Sequence, residues 1–279
     1  MKTGVFIFPT DYSIDIAELA VALEERGFEA LFVPEHTHIP TSRRSPFPAG
    51  GPLQKRYAHT HDPFIALSFA AAATKKLTIG TGICLLAQRD PIVTAKVVAS
   101  LDRLSGGRFI FGLGGGWNVE EMEDHGATYR TRFAIVRERV LAMKKLWTED
   151  EASFSGEHVS FESCWSWPKP VQTPNPPLLM GGETDYTLRR VVDYCDGWLP
   201  RPRPGFDPKE QMDRLRAHAD AAGRDMSTLQ VTLFRAPPDK EKLAACRKAG
   251  MDRALFEIPD MSRDEALRLL DDYAPLAAS

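Results

Sequence analysis

One local pattern constrains the fold of this chain more than any other: an aspartate and a proline immediately before a helical spacing of apolar residues. It occurs at Asp62-Pro63, Asp90-Pro91 and Asp207-Pro208. The aspartate side chain accepts hydrogen bonds from the free amides of a first helical turn, and proline fits the first helical position. Each pair therefore predicts a helix start, and their recurrence predicts repeated strand–helix units.

Eight short apolar segments alternate with the helical patterns. They are near-continuous apolar runs, which is typical of strands buried on both faces of a parallel sheet. The predicted strands are residues 4–8, 28–33, 77–86, 108–113, 177–180, 197–199, 230–234 and 253–258. Because each strand is followed by a helix, the sequence predicts an α/β fold in which residues 1–279 form a single (β/α)8 TIM-type barrel domain.

Two stretches interrupt this alternation. Residues 37–61, after the second strand, are rich in proline, glycine and basic residues, and a loop of this length is usually a lid or a binding loop. Residues 152–177, between the fourth helix and the fifth strand, are too irregular for a helix and predict an insertion with a hairpin that turns at Gly156. Ser13 is predicted to cap the first helix, and Ser262 with Glu265 the last.

Charge and cysteine usage exclude several classes of partner. The formal net charge is −3 and no basic cluster is present, which argues against nucleic acid or an anionic membrane. The N-terminal apolar run is too short for a signal peptide or an anchor, so a cytoplasmic location is expected. The four cysteines contain no C-x-x-C pair, which fits a reducing compartment. The expected partner is a small-molecule substrate.

The glycine turn after the fourth strand is the strongest single signal of a binding site. Residues 101–117 read LDRLSGGRFIFGLGGGW, and the run Gly114, Gly115, Gly116 is closed by Trp117. Such a turn lets backbone amides approach a phosphate or a flat cofactor edge. A dinucleotide fingerprint is disfavoured, because Trp117 stands where its third glycine belongs and residues 132–147 have helical rather than strand spacing.

Small and polar residues collect at the C-terminal ends of strands two to five, where a barrel of this type holds its active site. They are Glu35, His36, Thr81, Gly82, Gly114, Gly115, Gly116, Gly181, Gly182, Glu183 and Thr184. The last four precede a helix N-terminus, which favours an anion such as a phosphate.

His36 and His38 allow three interpretations. An H-x-H pair can begin a metal site, although the ends of strands five to eight offer no histidine, so no metal is expected. Either residue can be a structural histidine that bonds the backbone. The third interpretation is a general acid or base at the barrel mouth, beside the Glu35 carboxylate.

Four stretches carry a common pattern: GFEALFVPEH, DPFIALSFAAAATKKLTIGTGICLL, RDPIVTAKVVASLDRLSGGRFIFGLGGGWNVEEM and PPLLMGGETDYTLRRVVDYCDGWLP. Together they resemble the bacterial luciferase-like superfamily, and within it the deazaflavin (coenzyme F420)-dependent oxidoreductases. The resemblance implies a barrel mouth that holds coenzyme F420 or, alternatively, FMN. It also implies a non-prolyl cis peptide at Gly82-Ile83 against the cofactor ring.

The resemblance further implies hydride transfer between the deazaflavin and a small organic substrate, with His36 facing the reactive ring carbon and Glu35 supporting it. The implied cofactor contacts are Phe8, His38, Thr81, Gly82, Ile83, Gly114, Gly115, Gly116, Trp117, Gly181, Gly182, Glu183 and Thr184. Trp117 stands where sugar-phosphate dehydrogenases of this group place a glutamate, with Glu120 and Glu121 further on, which removes support for glucose 6-phosphate as substrate.

Two alternatives to this function remain open. One is an FMN-dependent two-component monooxygenase, and the other is a flavin-binding barrel without turnover. A homodimer is also expected, through an aromatic edge of the fourth helix that contains Phe133, Val140 and Trp147.

Overall fold

The repeated units close into a parallel barrel in the computed structural model, which describes residues 1–277. The strands are β1 (Lys2–Ile7), β2 (Ala30–Val33), β3 (Thr78–Thr81), β4 (Cys84–Leu85), β5 (Phe109–Gly114), β6 (Ala152–Ser155), β7 (Ser160–Cys164), β8 (Leu178–Gly181), β9 (Gly197–Leu199), β10 (Gln230–Phe234) and β11 (Arg253–Ile258). β3 and β4 share the third position of the barrel, and the Gly82-Ile83 peptide bond between them is cis, as predicted.

The ring closes because β3 pairs with both β2 and β5. Its order is β1, β2, β3 with β4, β5, β8, β9, β10 and β11, and β11 returns to β1. Since every one of these pairs is parallel, the C-terminal ends of the strands meet at one mouth. The predicted TIM-type barrel is confirmed, and β6 and β7 form the predicted hairpin outside it.

Helices surround the barrel. They are α1 (Ile16–Glu25), α2 (Arg56–His59), α3 (Pro63–Ala73), α4 (Pro91–Leu104), α5 (Val119–Asp124), α6 (Arg132–Thr148), α7 (Asp185–Tyr194), α8 (Pro208–Ala222), α9 (Lys240–Ala249) and α10 (Arg263–Ala277), with 3-10 turns at Leu86–Gln88 and Met226–Thr228. None of the helices within residues 1–277 has both the length and the apolar composition needed to cross a membrane.

Local capping chemistry explains where most helices begin. Asp62, Asp90 and Asp207 each accept hydrogen bonds from first-turn amides, and the proline that follows each one opens the helix, as predicted. The Ser262–Glu265 capping box is also present. The prediction for Ser13 is wrong: Asp15 caps α1 through its side chain, while Ser13 closes a turn with the carbonyl of residue 10.

Two short helices were not predicted. α2 lies inside the stretch 37–61, which was expected to be loop throughout, and α5 follows the glycine turn directly. Asn118 caps α5 by accepting a hydrogen bond from the Glu121 amide, 3.4 Å away. The N-x-x-E pattern over 118–121 is the helix-start signal from which this element could have been predicted.

Apolar side chains fill the barrel interior below the mouth. This inner cluster contains Phe6, Phe8, Ala30, Phe32, Ile110, Leu179, Leu199 and Leu255. Tyr57, Ile83 and Phe234 pack against it and are only partly buried. The floor of the mouth is therefore apolar.

The predicted aromatic edge of α6 is not exposed. Trp147 is 4% exposed and donates its ring N–H to the carbonyl of Ala95, and Val140 is 1% exposed. Phe133, the third residue of this edge, is partly buried and lies against the guanidinium groups of Arg132 and Arg190. Large exposed apolar side chains lie elsewhere, for example Ile65 and Phe69 on α3. The homodimer remains a prediction, which light scattering can test.

Candidate active site

His36 and Glu121 form a buried pair at the C-terminal end of β2. His36 Nδ1 lies 2.8 Å from Glu121 Oε2, and their side chains are 5% and 0% exposed. The other carboxylate oxygen of Glu121 accepts the backbone N–H of Thr37 at 3.2 Å. Because an ionised carboxylate only accepts hydrogen bonds, it holds the proton on Nδ1 and leaves Nε2 free to exchange a proton.

Aromatic rings enclose His36. Tyr57 and Trp117 lie 5.3 and 5.8 Å from the imidazole, measured between ring centroids. Phe47 contacts both of these rings, and Phe8 stacks against Tyr57 at 4.7 Å. We call Phe8, Phe47, Tyr57 and Trp117 the aromatic cluster. It gives the space near His36 an apolar wall that suits a planar organic molecule.

Ile83 occupies the floor of the mouth, and two glycines make room for it. A Cβ on Gly114 would lie 2.3 Å from Ile83 Cδ1, and a Cβ on Gly181 would lie 3.0 Å from Ile83 Cγ2. A Cβ on Gly82 would lie 2.7 Å from the ring of Phe234. The glycines predicted to contact a cofactor therefore also let β5 and β8 approach the β3–β4 bulge closely.

Glu35 and Thr81 hold the β3–β4 bulge in place through hydrogen bonds inside the protein. Glu35 is 2% exposed, and its carboxylate accepts the Leu85 amide at 2.7 Å and the Arg89 guanidinium at 2.5 Å. The Thr81 hydroxyl donates to the carbonyl of Gly112 at 2.6 Å. Both predicted site residues thus use their polar atoms inside the protein. Glu35 holds β4 in place through these contacts.

The turn between β8 and α7 combines glycine geometry with arginines. Gly182 has a φ of 127°, a region that favours glycine, and Thr184 caps α7. The Glu183 carboxylate contacts Arg201 at 2.8 Å and Arg203 at 3.0 Å. Burial would raise the pKa of Glu183, but the two arginines outweigh it and lower that pKa. Glu183 therefore orients two arginines, and its own negative charge does not contribute to binding an anion.

Two further arginines beside the glycine turn have no carboxylate partner within residues 1–277. The guanidinium groups of Arg132 and Arg190 lie 4.6 and 3.7 Å from the centre of the Phe133 ring. A Cβ on Gly115 would lie 3.2 Å from Arg132 Cγ, which places this arginine pair next to the turn. Burial lowers the pKa of both groups. Within residues 1–277 neither arginine makes an ion pair, and the buried Nε of Arg132 has no hydrogen-bond partner. The arginine pair is therefore suited to an anion.

His38 lies apart from these groups. Its Nε2 is 2.9 Å from Asp124, and the two side chains are 41% and 60% exposed. His125 contacts the same surface segment through Thr37. Within residues 1–277 no cluster of three or more side chains suited to a metal ion is present.

The lid, residues 37–61, is attached to α5 by polar contacts that bury Ser45. The Ser45 amide donates to Glu120 at 3.0 Å, the Ser45 hydroxyl donates to the same carboxylate, and Arg44 pairs with Glu123. Burial alone would raise the pKa of Glu120, but the hydrogen bonds from Ser45 lower it to about 2. Glu120 is thus charged at neutral pH and holds the lid in place. The lid residue Phe47 then packs on Tyr57 and Trp117, the two rings beside His36.

A profile of the luciferase-like monooxygenase family matches residues 1–266 of this chain. The chain belongs to the luciferase-like monooxygenase family. The family resemblance carried by the four sequence stretches is therefore confirmed. Similar proteins include the uncharacterized protein Rv0953c of Mycobacterium tuberculosis, with 38% identity over 98% of both chains. The F420-dependent hydroxymycolic acid dehydrogenase of the same organism is 28% identical over 84% of this chain and 61% of its own length.

Solved structures share the luciferase-like fold at lower identity. The monooxygenase RslO1 from Streptomyces bottropensis has a TM-score of 0.80 at 19% identity, over 99% of this chain and 98% of its own. An F420-dependent secondary alcohol dehydrogenase has a TM-score of 0.77 at 18% identity, over 99% and 98%. The oxygenating constituent of 3,6-diketocamphane monooxygenase from Pseudomonas putida, in complex with FMN, has a TM-score of 0.63 at 18% identity, over 83% and 66%.

Proposed function

We propose that this protein is an oxidoreductase that transfers a hydride between coenzyme F420 and a small organic substrate. The observation that carries the proposal is the buried His36–Glu121 pair, which sits under the aromatic cluster at the barrel mouth. The relative named as an F420-dependent hydroxymycolic acid dehydrogenase supports the choice of cofactor.

The residues at the mouth fit a deazaflavin. Ile83 and the glycines Gly82, Gly114 and Gly181 would lie against its ring, since they form an apolar floor without side-chain bulk. The arginine pair and the turn 181–184 would hold its anionic side chain. The positive charges of the pair are not neutralised by a carboxylate within residues 1–277, and α7 begins directly after this turn.

A bound deazaflavin supplies a ring carbon that carries the hydride. The protein supplies the proton and the surroundings. His36 Nε2 gives or takes the proton that accompanies oxidation or reduction of the substrate, while Glu121 stabilises the imidazole when it is protonated. The aromatic cluster keeps water from the reacting atoms.

A second candidate is an FMN-dependent two-component monooxygenase. The likeness in fold to the FMN-containing diketocamphane monooxygenase constituent and to RslO1 favours it. A third candidate is a flavin-binding barrel without turnover. The His36–Glu121 pair argues against this third candidate, because burying a carboxylate and an imidazole costs free energy that a simple binder has no need to spend.

Titration of the purified protein with F420 and with FMN separates the first two candidates. We expect F420 to bind more tightly than FMN. Micromolar FMN affinity without F420 binding would replace the first candidate with the monooxygenase. Stopped-flow oxidation of the bound, reduced cofactor by enones, nitroaromatics and aldehydes separates an enzyme from a binder, for which no acceptor would accelerate the reaction.

A further inference from the structure

The barrel mouth carries a second group of charges, formed by Arg56, Arg235 and Glu257. Arg56 lies in the lid helix α2, Arg235 follows β10 and Glu257 belongs to β11. Both guanidinium groups donate to the same carboxylate oxygen, Glu257 Oε1, at 2.8 Å each. Two positive charges therefore share one negative charge, and the group keeps a net charge of one positive unit.

Arg56 is unusually buried for a cation. Its side chain is 5% exposed and its guanidinium lies 4.6 Å from the centre of the Phe8 ring. The buried Nε atom has no hydrogen-bond partner within residues 1–277. A buried donor without an acceptor is costly, so this N–H points to a guest that supplies the acceptor.

Arg235 has a strained backbone. Its φ is 62°, in the left-handed region that non-glycine residues rarely adopt, and its side chain is 46% exposed. Glycine would occupy this position without strain. Replacing Arg235 with glycine would therefore remove the guanidinium and relieve the strain together.

This group faces the active site through Tyr57. The Tyr57 ring lies 5.3 Å from His36 on one side and 4.7 Å from Phe8 on the other, and Phe8 carries Arg56. In the ring of strands, β11 and β1 lie opposite β5 and β8, which carry the glycine turns and the arginine pair. The two basic groups are thus on opposite sides of the mouth, with His36 between them.

We propose that Arg56 and Arg235 bind a carboxylate of the substrate, which makes the substrate class a planar or conjugated organic acid with its reacting group near His36. The inference rests on the proposed function for the reaction itself. A single carboxylate balances the net charge of the group, whereas a phosphate monoester would leave a surplus of negative charge beside Glu257. The aromatic cluster takes the apolar body of such a molecule.

Calorimetric titration with three related nitroaromatics tests this carboxylate site. The probes are 4-nitrobenzoate, its neutral methyl ester and 4-nitrophenyl phosphate, each added to the protein with and without F420. We expect 4-nitrobenzoate to bind at least about tenfold more tightly than both other probes, as charge-assisted hydrogen bonds imply. Equal binding of acid and ester, or tighter binding of the phosphate, would overturn the inference.

Arg235→Gly separates a functional from a structural role, because it removes the guanidinium and the backbone strain together. We expect it to lose the preference for 4-nitrobenzoate while its melting temperature does not fall. Arg235→Lys should keep part of the preference, and Arg216→Met, which alters an equally exposed arginine on α8, should keep all of it. Wild-type affinity in Arg235→Gly would refute the site.

The two proposals fail separately in this design. If F420 does not bind but the preference for the acid still depends on Arg235, the proposed function fails and the carboxylate site stands. If F420 binds and no probe shows the preference, the cofactor assignment stands and the carboxylate site fails.

Discussion

The two basic sides of the barrel mouth are built differently. Beside β5 and β8, Arg132 and Arg190 press on one phenylalanine ring and make no ion pair within residues 1–277. Beside β11 and β1, Arg56 and Arg235 share the carboxylate of Glu257. Unpaired arginines suit a guest with more negative charge, and a pair already half neutralised suits a single anionic group. The difference gives each side its own expected ligand.

His36 stands between the two sides, so its removal should have the largest effect. We expect His36→Ala to slow the chemical step by about 10² to 10⁴-fold and to leave the Kd for F420 nearly unchanged. Single-turnover oxidation of the reduced cofactor, measured beside the Kd, checks this. His38→Ala is the matched control, because that ring lies on the surface against Asp124. An unchanged single-turnover rate in His36→Ala would remove it from the mechanism.

Glu121→Gln tests whether the buried carboxylate controls the His36 imidazole. The amide keeps the shape but can donate to Nδ1, which would move the ring proton to Nε2. We expect a rate loss of about 10²-fold in the single-turnover reaction, while the Kd for F420 and the melting temperature stay close to those of the wild type. A purely structural role would instead lower the melting temperature and weaken F420 binding along with the rate.

The side with the unpaired arginines can be tested without any turnover. We expect Arg190→Met to weaken binding of F420, or of FMN if that is the cofactor, by about tenfold or more. Binding of the phosphate-free flavin or deazaflavin should not change. Arg189→Met is the control, since Arg189 is exposed on the same helix and lies over Tyr186. Equal losses for the two cofactor forms would place the anion elsewhere.

The lid carries Arg56 and is attached to α5, and the loss of this attachment should show the smallest effect. Replacing Ser45 with alanine removes a buried hydrogen bond to Glu120 and should cost about 1–2 kcal/mol of stability. Faster hydrogen exchange in residues 37–55 is the expected readout. Ser68→Ala, which removes another helix-side hydroxyl, is the control and should leave lid exchange unchanged.

The same contact predicts an acid dependence. Glu120 has a folded pKa of about 2 against a usual value of 4.5. Because the folded value is the lower one, the stabilisation is fully present above pH 4.5 and is lost as pH falls toward 2. The protection factors of the lid amides, which correct for the intrinsic pH dependence of exchange, should therefore fall with acid in the wild type, and less so in Ser45→Ala. Parallel curves for the two proteins would disprove this role for Glu120.

The barrel was predictable because its signals are local. Asp62, Asp90 and Asp207 mark helix starts through contacts two or three residues away, and short apolar runs mark strands. The active-site partners are not local: Glu121 meets His36 across 85 positions, and Arg56 meets Glu257 across 201. No spacing rule connects such residues, so the glycines and His36 could be proposed while their charged partners could not.

The interpretation of glycine shows the same limit. Gly114 and Gly181 were predicted to contact a cofactor, and the sequence does signal that a close approach occurs there. The side chain that approaches both glycines is Ile83, which lies in the bulge between β3 and β4. A glycine identifies a place without room for a side chain, and only the assembled barrel shows which atoms use that room.

The neighbouring carboxylates of α5 have a consequence for how this protein can change. Glu120 holds the lid and Glu121, the next residue, holds the His36 imidazole. Directed evolution that reshapes residues 37–55 to admit new substrates would disturb the same helical turn that orients His36. Variants with substitutions in this loop that accept more substrates should therefore react more slowly, unless Ser45 is kept constant. Natural substitutions in the loop should couple substrate range to rate in the same way.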